Sequence, residues 1–269
     1  MRCGFLVCVL TLAIFCAPAA QAQGSLSEMV QVGPPPTRRA EPPNATASVK
    51  ELEDRGDDLR SEKAYLDALD YYQAALAKKP DDSDIHVKVG ITDIAIQHYK
   101  EAGKSFERAI KYDRQNAIAY NNLGVIDYLE KKYNQAIKRY RKAIELSPDT
   151  ASYYNNLGAV YFSKKDLDEA TVSYSHALQL DPDVFERTSH MGVQAQMSSP
   201  EDRAHFEYVL AKLFAKQGDR DRSLQYLRKA LEEGYKNIDD VYKDPEFTTL
   251  RSDTRFTQLM AARPPAIPE

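Results

Sequence analysis

Asparagine doublets at Asn121-Asn122 and Asn155-Asn156 are the most suggestive chemical groups in this 269-residue sequence, because a primary amide donates and accepts hydrogen bonds at once. Such groups hold a main chain; they do not break covalent bonds. Residues that could do so are present without the spacing the chemistry requires. The five histidines, His86, His98, His176, His190 and His205, show no metal-ligand interval and no helix-borne pair of the zinc-protease type. No glycine-rich phosphate loop and no glycine-flanked nucleophilic serine occurs. Acids are numerous, but nothing in their pattern isolates two carboxylates in a dry pocket, so they read as solvated surface. The sequence predicts no catalytic residue, no metal site and no cofactor.

Charge argues in the same direction. Lys and Arg number 36 against 40 Asp and Glu, a net charge of −4. The basic residues Lys131, Lys132, Lys138, Arg139, Arg141 and Lys142 alternate with acids along helix surfaces, whereas a phosphate backbone rewards clustered cations, so a nucleic-acid partner is excluded. With 28% charged and 43% hydrophobic residues the bulk of the chain reads as a soluble folded protein. Trp is absent and Tyr occurs 17 times at helical spacing with Ala and Leu, as expected where half-polar rings fill seams between packed helices.

The first residues stand apart. Arg2, the apolar run Gly4 to Cys16, and then Ala20-Gln21-Ala22 predict a signal peptide over 1–22, hence export to the periplasm or secretion. Cleavage after Ala22 removes Cys3, Cys8 and Cys16, all the cysteines present, and leaves a chain without disulfides, thiolate ligands or a stable membrane insertion. Residues 23–48, with Pro34-Pro35-Pro36 and Pro42-Pro43, read as a Pro-rich disordered linker. Within it Asn44-Ala45-Thr46 matches an N-glycosylation acceptor, a short pattern that carries little by itself.

The elements that position the asparagines emerge from an internal repeat. Tyr120-Asn121-Asn122-Leu123-Gly124 returns as Tyr154-Asn155-Asn156-Leu157-Gly158 after a shift of 34. The same step links Gly56, Gly90, Gly124 and Gly158. It also links Ala68, Ala102, Ala136 and Ala170, then Ala75, Ala109, Ala143 and Ala177, and the rings Tyr72, Phe106, Tyr140 and Tyr174. Each unit splits into two amphipathic helices around a short polar turn, as in Tyr120–Glu130 and Gln135–Leu146. Pro80, Pro148 and Pro182 end units; Arg114 replaces proline in the second, so that break rests on Asp113 and Asn116. Four tandem units are therefore expected over 49–184 (49–82, 83–116, 117–150 and 151–184). An irregular insertion (185–199), a fifth degenerate unit (200–237) opened by Ser199-Pro200-Glu201-Asp202, capping helices (238–262) and a disordered tail (263–269) follow. In the fifth unit Ser223 and Leu227 stand where Ala and an aromatic recur elsewhere.

These residues resemble the tetratricopeptide repeat family. The fourth unit carries nearly its whole signature in Tyr154, Leu157, Gly158, Tyr161, Ala170, Tyr174, Ala177 and Pro182, while the third departs at Asp127. The resemblance implies an all-α fold, a right-handed α-solenoid of stacked antiparallel helix pairs with a C-terminal cap. It also implies a concave wall, made by the first helix of each unit, that receives a peptide or partner helix. On this chain that wall comprises Asn121, Asn122, Val125 and Tyr128, then Asn155, Asn156, Ala159 and Phe162. The asparagines suit capture of an extended backbone, and equally suit bonding between neighbouring repeats. The basic residues of the co-chaperone carboxylate clamp are missing: the sites read Glu53 and Asp57, Val87 and Ile91, Ser152 and Asn156, and the acidic first unit would favour a basic partner.

The expected function is a non-catalytic scaffold or adaptor for a protein or peptide partner. The alternatives are an envelope-assembly subunit that oligomerises with its groove self-occluded by the 183–198 segment, and a cryptic hydrolase or transferase.

Overall fold

The computed structural model describes residues 40–185 and 199–263. Among the described residues there are eleven α-helices and no strand. The first eight form four pairs: α1 Val49–Ser61 with α2 Tyr65–Lys78, α3 Ser83–Ala95 with α4 Tyr99–Tyr112, α5 Ala117–Leu129 with α6 Tyr133–Leu146, and α7 Ala151–Ser163 with α8 Leu167–Leu180. Every first helix has 13 residues and every second one 14, so helix starts recur at the interval of 34 read from the sequence. In the third unit α5 begins at Ala117, earlier than its apolar periodicity indicates, because Asn116 caps it by accepting from the Ala119 amide at 3.0 Å. That bond opens the helix in the unit junction where Arg114 stands in place of a proline.

Small residues set how closely the helices of a pair approach. A Cβ added to Gly56, Gly90, Gly124 or Gly158 would lie 2.5–2.7 Å from a ring carbon of Tyr72, Phe106, Tyr140 or Tyr174. Those rings, with Ala102, Ala136 and Ala170 and with Ala109, Ala143 and Ala177, are completely buried. Burying each ring contributes on the order of 2–3 kcal/mol, which a methyl group on the facing glycine would forfeit by forcing the helices apart. The turn inside each pair is tight: Lys63, Gln97, Lys131 and Lys165, again one step of 34 apart, sit at φ of 60–65°. None is glycine, so each turn carries a local backbone cost.

A fifth pair follows, with α9 Pro200–Gln217 and α10 Arg220–Glu232 joined at Gly218, φ 84°. Ser199 accepts from the Asp202 amide at 3.1 Å and Pro200 occupies the first turn. Here Ala211 stands at the glycine position and Leu227 at the ring position, both fully buried, a size exchange that keeps the pair closed. Its attachment to the array differs. Whereas α2, α4 and α6 each pack along the next first helix, α8 meets α9 over only a few positions. A cluster of rings makes the join, with Phe206 5.3 Å from Tyr174 and 5.9 Å from Phe185, and Arg222 reaches back to the Pro182 carbonyl at 2.6 Å.

Beyond α10, single 3₁₀ turns at Ile238–Tyr242, Pro245–Phe247 and Leu250–Ser252 lead into α11 Thr254–Ala262. Phe247, Leu250, Phe256, Leu259 and Met260 join the same core cluster as α9 and α10, so this segment closes the end of the array as a solenoid requires.

The other end is closed by a segment expected to be a loose tether. Residues 23–39 lie outside the described residues, as do the signal at 1–22, the insertion from 186 to 198 and the last six residues of the tail. Residues 40–48, however, run beside α2. The Ala40 amide donates to Asp67 Oδ1 at 2.9 Å, the Tyr71 hydroxyl to the Glu41 carbonyl at 3.1 Å, and Lys78 Nζ to the Ala45 carbonyl at 2.8 Å. Ser48 then opens α1 through a reciprocal capping box with Glu51. Pro42 and Pro43 keep this strap extended, and its main-chain groups find partners on α2, which is why it is not free.

Candidate partner-binding surface

The first helices α1, α3, α5 and α7 carry the residues expected to form a receptive wall. All eight assigned to it, Asn121, Asn122, Val125, Tyr128, Asn155, Asn156, Ala159 and Phe162, are buried. They are thus not an open surface, and stacking is the reason. Asn156 Nδ2 donates to Asn121 Oδ1 at 3.0 Å, joining α7 to α5, and the Tyr128 hydroxyl lies 2.9 Å from Ser163 Oγ across the same interface. Asn122 Nδ2 donates to the Ile118 carbonyl of its own helix at 2.9 Å. Phe162 is met by His205 and Phe206 of α9 at 5.2 and 6.0 Å, with the Lys165 ammonium 5.7 Å from its ring centroid. Of the two uses open to the asparagines, bonding between repeats is the one made by Asn121 and Asn156.

Three amide atoms on this wall keep unspent capacity: Asn121 Nδ2, Asn122 Oδ1 and Asn156 Oδ1 are buried with no hydrogen-bond partner. An unpaired buried polar atom costs about 1–3 kcal/mol. A donor and an acceptor on α5 and a second acceptor on α7 are thus left over.

At the first two units the wall is half-buried and charged. Lys88 Nζ on α3 bridges Glu53 at 2.6 Å and Asp57 at 2.5 Å on α1. The acids expected to favour a basic partner are neutralised inside the chain. Burial opposes the Lys88 charge, but its two carboxylate partners outweigh this and raise its pKa.

The sequence reading missed the opposite side. Between α2 and α4, over α3, lies a groove of about 640 Å³ whose walls include Leu69 and Leu76, Val89 and Asp93, and Glu101 and Arg108. A smaller one of about 320 Å³ separates α6 from α8, lined by Arg141, Tyr154, Val172 and His176. The available signal was the change of residue type at one register: Val172 is 58% exposed where Lys104 and Lys138 stand in earlier units. In the larger groove Asp93 occupies the site at which Tyr161 packs in the fourth unit. Burial pushes its carboxyl up to about 6, with His98 Nδ1 at 3.8 Å opposing the rise. Asp127, one step on, is also raised by burial and eased by Arg139, 3.9 Å away.

Among the described residues no three His, Cys, Asp or Glu side chains are grouped to hold a metal ion, and no helix is long and apolar enough to cross a membrane. Three of the four described histidines serve packing, and the fourth, His98, faces Asp93. His86 stacks on Tyr112 at 5.5 Å and bonds the Pro80 carbonyl at 2.9 Å, His176 stacks on Tyr154 at 5.4 Å, and His205 lies between Phe162 and Tyr235. His190 falls outside the described residues.

Comparison with known proteins agrees with this architecture. Family models described as tetratricopeptide repeat match residues 59–124, 151–184 and 208–242, and one described as TPR repeat matches 126–165. The third of these falls on the fifth pair. No curated protein matches the chain. Among solved structures, PilF of Pseudomonas aeruginosa superposes with a TM-score of 0.53 at 19% identity, covering 79% of this chain and 96% of that one. MamA from residue 41 to its end, of Desulfovibrio magneticus RS-1, gives 0.50 at 16% identity over 71% and 97%. At such identities the likeness is one of fold. Repeat matches spanning more than half of the sequence, set on helix pairs in unbroken register through four units, place this chain in the tetratricopeptide repeat family.

Proposed function

We propose that this chain is a non-catalytic scaffold that holds a protein partner, receiving a peptide or a partner helix against the wall formed by α1, α3, α5 and α7. The observation carrying this reading is the set of buried amide atoms without a partner on α5 and α7, a donor on Asn121 and acceptors on Asn122 and Asn156, which a main chain reaches only where the wall parts. An extended main chain supplies a carbonyl and an N–H in alternation, which is what such a set can pair. Crosslinking the protein to its partners and identifying them by mass spectrometry tests the reading. Asn122→Ala with Asn156→Ala should reduce recovery of the partner while circular dichroism still reports a folded array; unchanged recovery would move the site off this wall.

A second reading has the groove self-occluded by the 183–198 segment and the chain serving as an assembly subunit. Most of that segment lies outside the described residues. Deleting 186–198 separates the two. A raised affinity for added peptides supports occlusion, and an unchanged one returns the groove to the first reading. Export through a signal cleaved after Ala22 is part of the proposal, and the intact mass of the mature protein checks it.

A further inference from the structure

The strap over 40–48 shows what one face of a second helix in this array binds. It runs with α2, its amide on Asp67, one carbonyl on the Tyr71 hydroxyl and another on Lys78 near the helix end. One repeat later the same register on α4 holds Glu101, Ser105 and Tyr112, all lining the groove between α2 and α4. Carboxylate acceptor, hydroxyl and terminal donor are thus repeated in order. No other second helix keeps the set. In α6 the register reads Gln135, Arg139 and Leu146, without a carboxylate, and in α8 it reads Glu169, Ser173 and Leu180, without a terminal donor.

We propose that the groove between α2 and α4 is a docking site for an extended, proline-containing segment of a partner protein, laid along α4 as the strap is laid along α2. Glu101 accepts a main-chain N–H, and the Tyr112 hydroxyl or the Arg108 guanidinium donates to a carbonyl further along. Neither Glu101 nor Arg108 forms an ion pair with a described residue, and the contact that a segment seated on Tyr112 has to displace is the Lys111 ammonium, 5.5 Å from that ring's centroid. The Tyr112 ring, 44% exposed and stacked on His86, offers proline a flat apolar seat, and Leu69, Leu76 and Val89 form the apolar lining. Proline fits because its fixed φ holds the segment extended before binding, so little conformational entropy is lost.

The site is distinct from the wall of first helices, and its test does not depend on that reading. The probe is a fluorescein-labelled synthetic peptide with the sequence of residues 40–47, titrated against the whole protein by fluorescence polarisation. Saturable binding is expected, weakened at least about tenfold by Glu101→Lys with Tyr112→Ala and unmoved by Asn122→Ala with Asn156→Ala. Both α4 side chains are exposed, so the variant keeps its fold, which a thermal melt verifies. Replacing Pro42 and Pro43 of the peptide by glycine should weaken binding further. Absence of saturation up to about 1 mM peptide overturns the proposal. So does binding abolished by Asp67→Asn with Tyr71→Phe but indifferent to the α4 variant, since the peptide would then be exchanging with the strap.

Discussion

Asn156 on α7 donates from Nδ2 to Asn121 Oδ1 on α5, 3.0 Å away and 35 residues earlier, in the interior between two successive repeats. Lys88 repeats this relationship two units before, reaching Glu53 across the same interval. On α3 and α7 the same position thus reaches the preceding unit, through an ion pair where solvent enters and an amide pair where the array is deeply buried, whereas Asn122 at that register on α5 bonds its own helix.

Breaking the buried amide pair leaves the Asn121 carbonyl without its donor. Asn156→Ala should cost about 1–3 kcal/mol in urea unfolding, and a double-mutant cycle with Asn121→Ala should return a coupling near 1 kcal/mol. A coupling indistinguishable from zero would mean that the contact contributes nothing to holding α5 and α7 together.

Gly158 and Tyr174 form a matched pair of sizes. Gly158→Ala brings a methyl carbon to 2.5 Å from Tyr174 Cε1 and should destabilise the protein by about 1–3 kcal/mol. Adding Tyr174→Leu should restore part of the loss, since the fifth pair already joins Ala211 with Leu227 at the same register. Additive losses in the double variant would show that the two positions do not share space.

The turn between α5 and α6 places Lys131 at φ 60°. Lys131→Gly relieves that conformation at the expense of a freer unfolded chain, so a net stabilisation of about 0.5–1 kcal/mol is expected from the melting curve. In the fifth pair the converse applies. Gly218 sits at φ 84° with nothing near its absent side chain, so Gly218→Ala should destabilise by about 1 kcal/mol through the backbone alone.

Asp93 makes stability depend on pH. Its carboxyl is raised from the ordinary 3.8 to about 6 by burial, so the folded protein holds this proton more tightly than the unfolded chain. The stabilising contribution is complete below about pH 4 and is lost as pH rises through about 6. Relative to Asp93→Asn, the parent protein should therefore lose stability across pH 4–6, by about 1–2 kcal/mol after allowing for partial solvation. Chemical denaturation of both proteins at pH 4, 5, 6 and 7 measures it, and parallel curves would refute the assignment.

Much of this architecture was legible because a repeat imposes the same packing problem at every step. Gly124 and Tyr140, or Ala136 and Ala143, recur at one interval since each pair must close to the same distance, and that constraint lies within about 34 consecutive residues. Helix starts at Asn116 and Ser199 were equally readable, being local bonds between a side chain and the amide three residues on.

What depends on distant parts of the chain was not readable. Sequence alone determined the helix pairs, their register, the closing segment after Gly234 and the family. Tertiary structure decided that Asn121, Asn122 and Phe162 lie inside, that Lys88 neutralises Glu53 and Asp57, and that residues 40–48 are held against α2. Periodicity tells which face of a helix is apolar, whereas exposure depends on which surfaces 30 or more residues away arrive to cover it.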